Sequence, residues 1–309
     1  FLFSSRRWHT RFRHVTAVQT CALPIFVEAK PRSVTLKLRG PARHLLRAHG
    51  GVSLTLRGLV IDGDGQAIED DETVAGLVRV NGRDTSADLE ACEIRGSSRA
   101  GVGISNDAHA RLTSCRIHAC DVGVCSLDAR LSAGNNRVSN CANNGVLVWR
   151  STQARDQSVV NNNEISGIDN KKIGTGEYGN GVGIFRATDV RIEGNRISAC
   201  RFSAVRVNGG SRAQVSGNTC RDIREVAIFI EAPGAGLNTE NVVVSNNIVD
   251  GAGIGISAVN AGMFRDGITR GAVVTGNQVS NLRINAINDG GYQPPQTIGA
   301  GIIAEIEAS

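Results

Sequence analysis

Apolar and polar residues alternate with a period of two along most of this chain, in short runs that return again and again. One kind of run closes on Asn or Cys, a single residue, then a β-branched residue or Cys. It reads ACEI at 91–94, SCRI at 114–117, NNRV at 135–138 and NNEI at 162–165. It continues as GNRI at 194–197, GNTC at 217–220, NNIV at 246–249 and GNQV at 276–279, with RGLVI at 57–61 a weaker copy in front. A second kind follows after a short turn: AGVGIS at 100–105, VGVCSL at 122–127, NGVLVW at 144–149 and NGVGIF at 180–185. SAVRVN at 203–208, VAIFIE at 226–231 and IGISAV at 254–259 complete the series. A period of two places alternate side chains on opposite faces of a strand. Val102/Ile104, Val146/Val148, Val182/Ile184, Val205/Val207 and Ile228/Ile230 are therefore predicted to point inward.

Successive anchors lie roughly 21 to 33 residues apart, the period of one solenoid coil with loops of varying length inserted into it. A coil of short strands cannot bury its inner face alone. Stacking coils at the inter-strand spacing of about 4.8 Å gives parallel sheets around one continuous core. This predicts an all-β parallel helix of about nine coils. Asn136, Asn163, Asn195, Asn218, Asn247 and Asn277 would form a structural ladder at one turn, because Asn tolerates left-handed backbone angles and its amide can bond the next coil. Cys92 and Cys115 take the Asn place in their coils, and Cys120, Cys141 and Cys200 fall three residues beyond the anchor. They are expected in the core as free thiols, since stacked parallel positions suit a disulfide poorly and no CxxC pair suggests zinc.

Composition agrees with many strands and tight turns: Gly supplies 37 of 309 residues and only 4% are aromatic. No apolar run is long enough to cross a membrane as a helix. Residues 1–25 differ from the rest, with four Arg and no acid, and resemble translated sequencing-adaptor sequence. Ser5-Arg6-Arg7 imitates a twin-arginine export signal, but Thr10, Arg11, Arg13 and His14 interrupt the apolar stretch such a signal needs. Setting those four Arg aside, the balance of 34 basic to 29 acidic residues is close to neutral and gives no support for nucleic-acid binding. The expected organisation is a non-native segment at 1–25, an incomplete first coil or cap at 26–50, and a repeat domain over 51–309 that is truncated at its C-terminal end.

The repeats resemble those of right-handed parallel β-helix proteins in the pectate-lyase-like superfamily. NNGVLVWRS, GIFRATDVRIEGNRISAC, FSAVRVN and REVAIFIE resemble more narrowly the twin-arginine-translocated repeat family of bacteria, which has no established activity. That resemblance implies export to the periplasm or beyond.

The outward positions of the second run carry the candidate chemistry: Leu147 and Trp149, Phe185, Arg206 and Asn208, then Phe229 and Glu231. Aromatic rings stack on sugars and a guanidinium pairs with carboxylates, so Trp149, Phe185, Arg206, Asn208, Phe229 and Glu231 are candidate ligand-binding residues for a polysaccharide. Aromatics packed under loops would look the same in sequence. The longest insertion, residues 167–180, brings Lys171, Lys172, Glu177 and Tyr178 beside this face. A lyase or epimerase acting on uronates needs a base and a cation, for which Lys172 or Arg206 would serve with Tyr178 as acid. A glycoside hydrolase needs two carboxylates, for which Glu177 and Glu231 are available. Imidazole plays no part in either scheme, because all six His lie at or before His118.

Asp62 and Asp64, beside the acidic run 69–72, are weak candidates for a metal, since their spacing fits no calcium loop. No cofactor motif is present; the glycines of GAGIGIS at 251–257 lack the strand–turn–helix a dinucleotide site requires. The reading favoured by sequence is an exported protein that binds or organises envelope polysaccharide. A carbohydrate-active enzyme and a scaffold with a protein partner are the alternatives.

Overall fold

Three strands make each coil in the computed structural model, which describes residues 24–69, 74–171, 174, 176–234, 236–259, 267–285 and 297–305. The first run of each repeat is divided by a corner, as between His109–Thr113 and Arg116–His118. The second run is the third strand, here Val122–Leu127. Corresponding strands of successive coils pair in parallel, building three ten-stranded sheets along the molecule. Parallel connections within a sheet are right-handed, and the fold is a right-handed parallel β-helix. It has one coil more than the motifs count, because Ile25–Glu28, Val34–Lys37 and Leu46–His49 supply the first strand of each sheet without the Asn signature. A small parallel pair, Thr239–Glu240 with Thr269–Arg270, lies beside the main sheets.

The anchor residues form one inward column of the second sheet. Ile61, Ile94, Ile117, Val138, Ile165, Ile197, Cys220 and Val249 stand in register from coil to coil, and each is at most 2% exposed. Burying one such aliphatic side chain contributes about 1.5–3 kcal/mol, so this column and those of the other two sheets hold the stack together. The five inward pairs read from the sequence are buried as well.

At the corner between the first and second sheets, two adjacent residues divide the work. The left-handed backbone angle falls on the residue before the ladder position: Ser114, Asn135, Asn162, Gly194, Gly217, Asn246 and Gly276 have φ between 54° and 66°. The expectation that the ladder Asn itself takes this angle is thereby corrected. That residue, next in sequence, turns its side chain inward instead. Asn195 Nδ2 donates to Val160 O and to Asn218 Oδ1, both at 2.9 Å, while Asn195 Oδ1 accepts from the Asn163 backbone and side-chain amides at 2.9 Å. The same bonds link Asn136 to Asn163 and run on through Asn218 and Asn247 to Asn277. Cys115 and Cys92 occupy this place in the earlier coils, their thiols facing Leu89 O and Leu56 O.

Entry into the third sheet requires residues without bulk. A Cβ added to Gly145 would lie 2.4 Å from Gly181 O and 3.0 Å from Ile165 Cγ2, and Gly101, Gly123 and Gly181 meet the next coil in the same way. The Gly-Val and Ala-Val steps of the second run mark this close approach.

Candidate functional site

Two outward columns of the third sheet bring the sequence candidates together. Trp149, Phe185, Asn208 and Glu231 stand in register along one, and Leu147, Gly183, Arg206 and Phe229 along the other. Gly183 leaves a gap between Leu147 and Arg206, since any side chain there would reach Leu147 Cδ2. The gap is the floor of a cavity of ≈ 390 Å³. Leu147, Trp149, Ile184 and Phe185 supply its apolar lining, and Glu177, Asn180, Arg206 and Asn208 supply its polar groups.

The insertion that supplies Glu177 is tied down by amides. Asn180 N and Nδ2 both donate to Asn144 Oδ1, at 2.9 and 3.1 Å, and Asn180 Nδ2 also reaches Gly176 O at 2.9 Å. Asn144 Nδ2 donates to Glu177 O at 3.1 Å, and Arg206 Nη1 donates to Gly176 O. Asn144 and Asn180 went unnoticed as site residues in the sequence, yet each begins an Asn-Gly-Val step, and that shared step is the signal that could have found them.

The aromatics form two pairs rather than one row. Trp149 meets Phe185 edge to face, with centroids 6.2 Å apart at 72°. Phe229 meets Phe202 at 5.7 Å and 85°, away from the cavity lining. Edge-to-face packing of this kind fixes both rings of a pair. All three predicted aromatics are half-buried, neither open to solvent nor fully covered. Arg186 stacks over Phe185, 4.6 Å from its centroid, and donates to Ser151 O at 2.6 Å.

Charge in the cavity wall is already paired. The Arg206 guanidinium is engaged by the Glu231 carboxylate, and Asn208 Nδ2 donates to Glu231 Oε1 at 3.0 Å. Glu231 reaches the site only through these two residues. Asn180 and Asn208, 2% and 7% exposed, each keep a buried amide oxygen with no hydrogen-bond partner among the described residues. Their Nδ2 atoms are committed to acceptors, which fixes the free atom in each case as the oxygen.

The proposed catalytic roles fare unevenly. Arg206 cannot act as a base, since a guanidinium does not deprotonate, and its forked face is occupied by Glu231. Burial, with Glu177 and Asp121 nearby, raises the Tyr178 hydroxyl above its ordinary value and makes it a poorer acid. Lys171 pairs with Asp121, and Lys172 lies outside the described residues, as do Asp70, Asp71 and Glu72 of the acidic run. Asp62 and Asp64 are far along the chain in the second coil, and each already has a cation: Arg95 on Asp62 at 2.9 Å and Lys37 on Asp64 at 2.7 Å. Among the described residues no group of His, Cys, Asp and Glu is arranged to hold a metal. A second hollow, ≈ 420 Å³, lies at another corner between Asp169, Arg201, Asp222, Arg224 and Arg283. Arg201 is paired with Asp169 and Arg283 with Asp222, both at 3.4 Å. Sequence reasoning proposed none of these residues.

The sequence matches the family described as right-handed beta helix region over residues 57–173 and 153–292. No curated protein matches the chain in sequence. Among solved structures, the A-module of the Azotobacter vinelandii mannuronan C-5 epimerase AlgE4 is similar over 92% of this chain and 83% of its own, with a TM-score of 0.57 and 14% identity. The A-module of the epimerase AlgE6 from the same organism is similar over 92% and 84%, with a TM-score of 0.51 and 16% identity. At such identities the likeness is one of fold.

Proposed function

The chain belongs to the right-handed β-helix family, and from that premise we propose that it is an exported protein that binds or organises cell-envelope polysaccharide without transforming it. The observation that carries this reading is the cavity on the third sheet, lined by the aromatic Trp149 and Phe185 together with the polar Asn208, Asn180 and Glu177. Aromatic rings beside a few fixed polar groups suit a sugar ring, which has apolar faces and a polar rim. The resemblance of residues 136–260 to the twin-arginine-translocated repeat family supports a periplasmic or secreted location.

The competing reading is uronate chemistry, which the two similar epimerase modules suggest. It requires a free cation at the sugar carboxylate and a base at the adjacent carbon. The Arg206–Glu231 pair occupies the cation, which weighs against that reading. The test is to incubate the protein with a panel of polysaccharides, recording retention together with new reducing ends, unsaturated uronates and C-5 inversion. Retention without product is expected; a product that accumulates with time and is lost in Arg206→Gln would replace binding by catalysis.

A further inference from the structure

The geometry points to a second binding site at the ≈ 420 Å³ hollow where the chain passes from the second sheet to the third, and this site takes the carboxylate or phosphate group of an acidic sugar. It is separate from the cavity of the third sheet and does not depend on the reading given to that cavity. Arg201, Arg224 and Arg283 line it and hold equivalent places in their coils. The Arg201 amide donates to Ile168 O, the Arg224 amide to Cys200 O and the Arg283 amide to Ala252 O, in each case the carbonyl just before the equivalent residue of the preceding coil. Arg201 and Arg224 are on adjacent coils, about 4.8 Å apart along the stack. Room for a ligand comes from the neighbouring corner column, where Gly167 and Ala199 are small and take left-handed φ angles of 64° and 52°. Both belong to the lining.

Two of the guanidiniums are loosely held. Arg201 faces Asp169 and Arg283 faces Asp222, both at 3.4 Å, against about 2.7–2.9 Å for a firm charge-assisted bond. Exposure alone does not cause this. Arg212 is 55% exposed, yet it closes on Asp189 with Nε at 2.7 Å and Nη2 at 3.0 Å. Arg201 and Arg283 are less exposed, at 46% and 45%. A solvated pair at such a distance contributes little, so each planar fork can turn to an arriving oxyanion and hold it by two bonds. The lining as a whole carries three guanidiniums against two carboxylates, a balance that favours an anion over a cation. Its volume falls in the range of about 300–1,000 Å³ usual for small-molecule sites, which suits an anionic group carried on a sugar better than a bare ion.

The experiment is calorimetric titration of the full chain with trigalacturonate, glucose 6-phosphate and, as the neutral control, maltotriose. At least one of the two acids is expected to bind, and to bind more weakly as salt is raised; which of them binds tells a carboxylate site from a phosphate site. Arg201→Gln combined with Arg283→Gln, both at exposed positions, should weaken the acid about tenfold or more and leave any binding of maltotriose unchanged. Asp222→Asn, which removes the carboxylate facing Arg283, should tighten the acid about twofold or more. Trp149→Ala should not alter its affinity. Binding of neither acid, or wild-type affinity in the folded arginine variant, overturns the inference. So does loss of the acid in Trp149→Ala, which would place it in the third-sheet cavity. The two readings fail separately, because Trp149→Ala tests the cavity and the arginine variant tests the hollow.

Discussion

Arg206 and Glu231, on adjacent coils, form an ion pair that stands sideways across the third sheet: Arg206 belongs to the column of Leu147 and Phe229, Glu231 to that of Phe185 and Asn208. Arg206 lines the cavity, and its pairing with Glu231 commits its charge before any ligand arrives. Its partial burial makes it sensitive to the loss of one member. Glu231→Ala is predicted to cost about 2–3 kcal/mol, since it strands the guanidinium and frees Asn208 Nδ2. Glu231→Gln should cost less, because it keeps an acceptor for both. Urea unfolding of the two variants measures the difference.

The Asn ladder should be weakest at its end and strongest in its middle. Asn195→Ala removes an acceptor from two donors of Asn163 and a donor from Val160 O and Asn218 Oδ1. The predicted loss is about 3 kcal/mol or more, since buried groups are left unmatched. Asn277→Ala, at the last rung and partly exposed, is expected to lose less than half as much. Chemical denaturation of both variants decides it.

Bulk at the entry to the third sheet should break the stack. Gly145→Val places a Cβ at 2.4 Å from Gly181 O, and neither backbone can yield without disturbing its whole coil. No soluble folded protein is the expected result. The reverse change three coils further along the same column, Ala227→Gly, should fold and lose about 1 kcal/mol through backbone entropy.

Acid should destabilise the fold through three carboxylates. At Asp62 burial opposes ionisation but is outweighed by the Asp64 amide and Arg95. At Glu93 burial is likewise outweighed by His118 and Arg95. At Asp189 Arg212 is the main cause. All three lie below their unfolded values, about 3.9 for Asp and 4.3 for Glu. Their contribution is therefore complete above about pH 5 and is lost as pH falls through the lowered folded values. The urea midpoint should hold between pH 7 and pH 5 with respect to these groups and drop below about pH 4. Arg95→Met should start lower at pH 7 and fall less steeply.

Burial pushes the thiols of Cys120, Cys125 and Cys220 up to about 12. All seven cysteines from Cys92 to Cys220 are free and buried. In a Cys21→Ser background, a thiol reagent at pH 8 should report almost none of them until urea is added. Rapid reaction of any in the folded protein would contradict the packing described.

The coil architecture was legible because its cause repeats: Ile94, Ile117, Val138 and their successors recur with the residue before each ladder Asn, so period and face could be read together. The corner that splits the first run was less visible. Its trace is a slip in the alternation, from Ile192 to Asn195 and then Ile197, where one spacing is a residue longer than the other. Trp149, Phe185, Arg206 and Asn208 could be placed on one face because strand parity alone decides that. Their pairing could not: Arg206 meets Glu231 and not another charge because of coil register, which insertions of unequal length conceal. Loop placement was beyond reach for the same reason. Glu177 joins the cavity through amide bonds of Asn144 and Asn180, a contact across 33 residues with no local pattern to announce it.

The central claim is that the cavity floored by Gly183 and walled by Trp149 is where a polysaccharide is held. Affinity electrophoresis through gels containing individual neutral or acidic polysaccharides tests it most directly, run on the wild type, Trp149→Ala and Gly183→Val. Gly183→Val intrudes on the hollow beside Leu147 without altering any charge, and Trp149→Ala removes one of its aromatic lining residues. Retardation of the wild type by at least one polysaccharide, abolished or reduced about tenfold in both folded variants, is the predicted result. Equal retardation of all three proteins, or none in any gel, would contradict it.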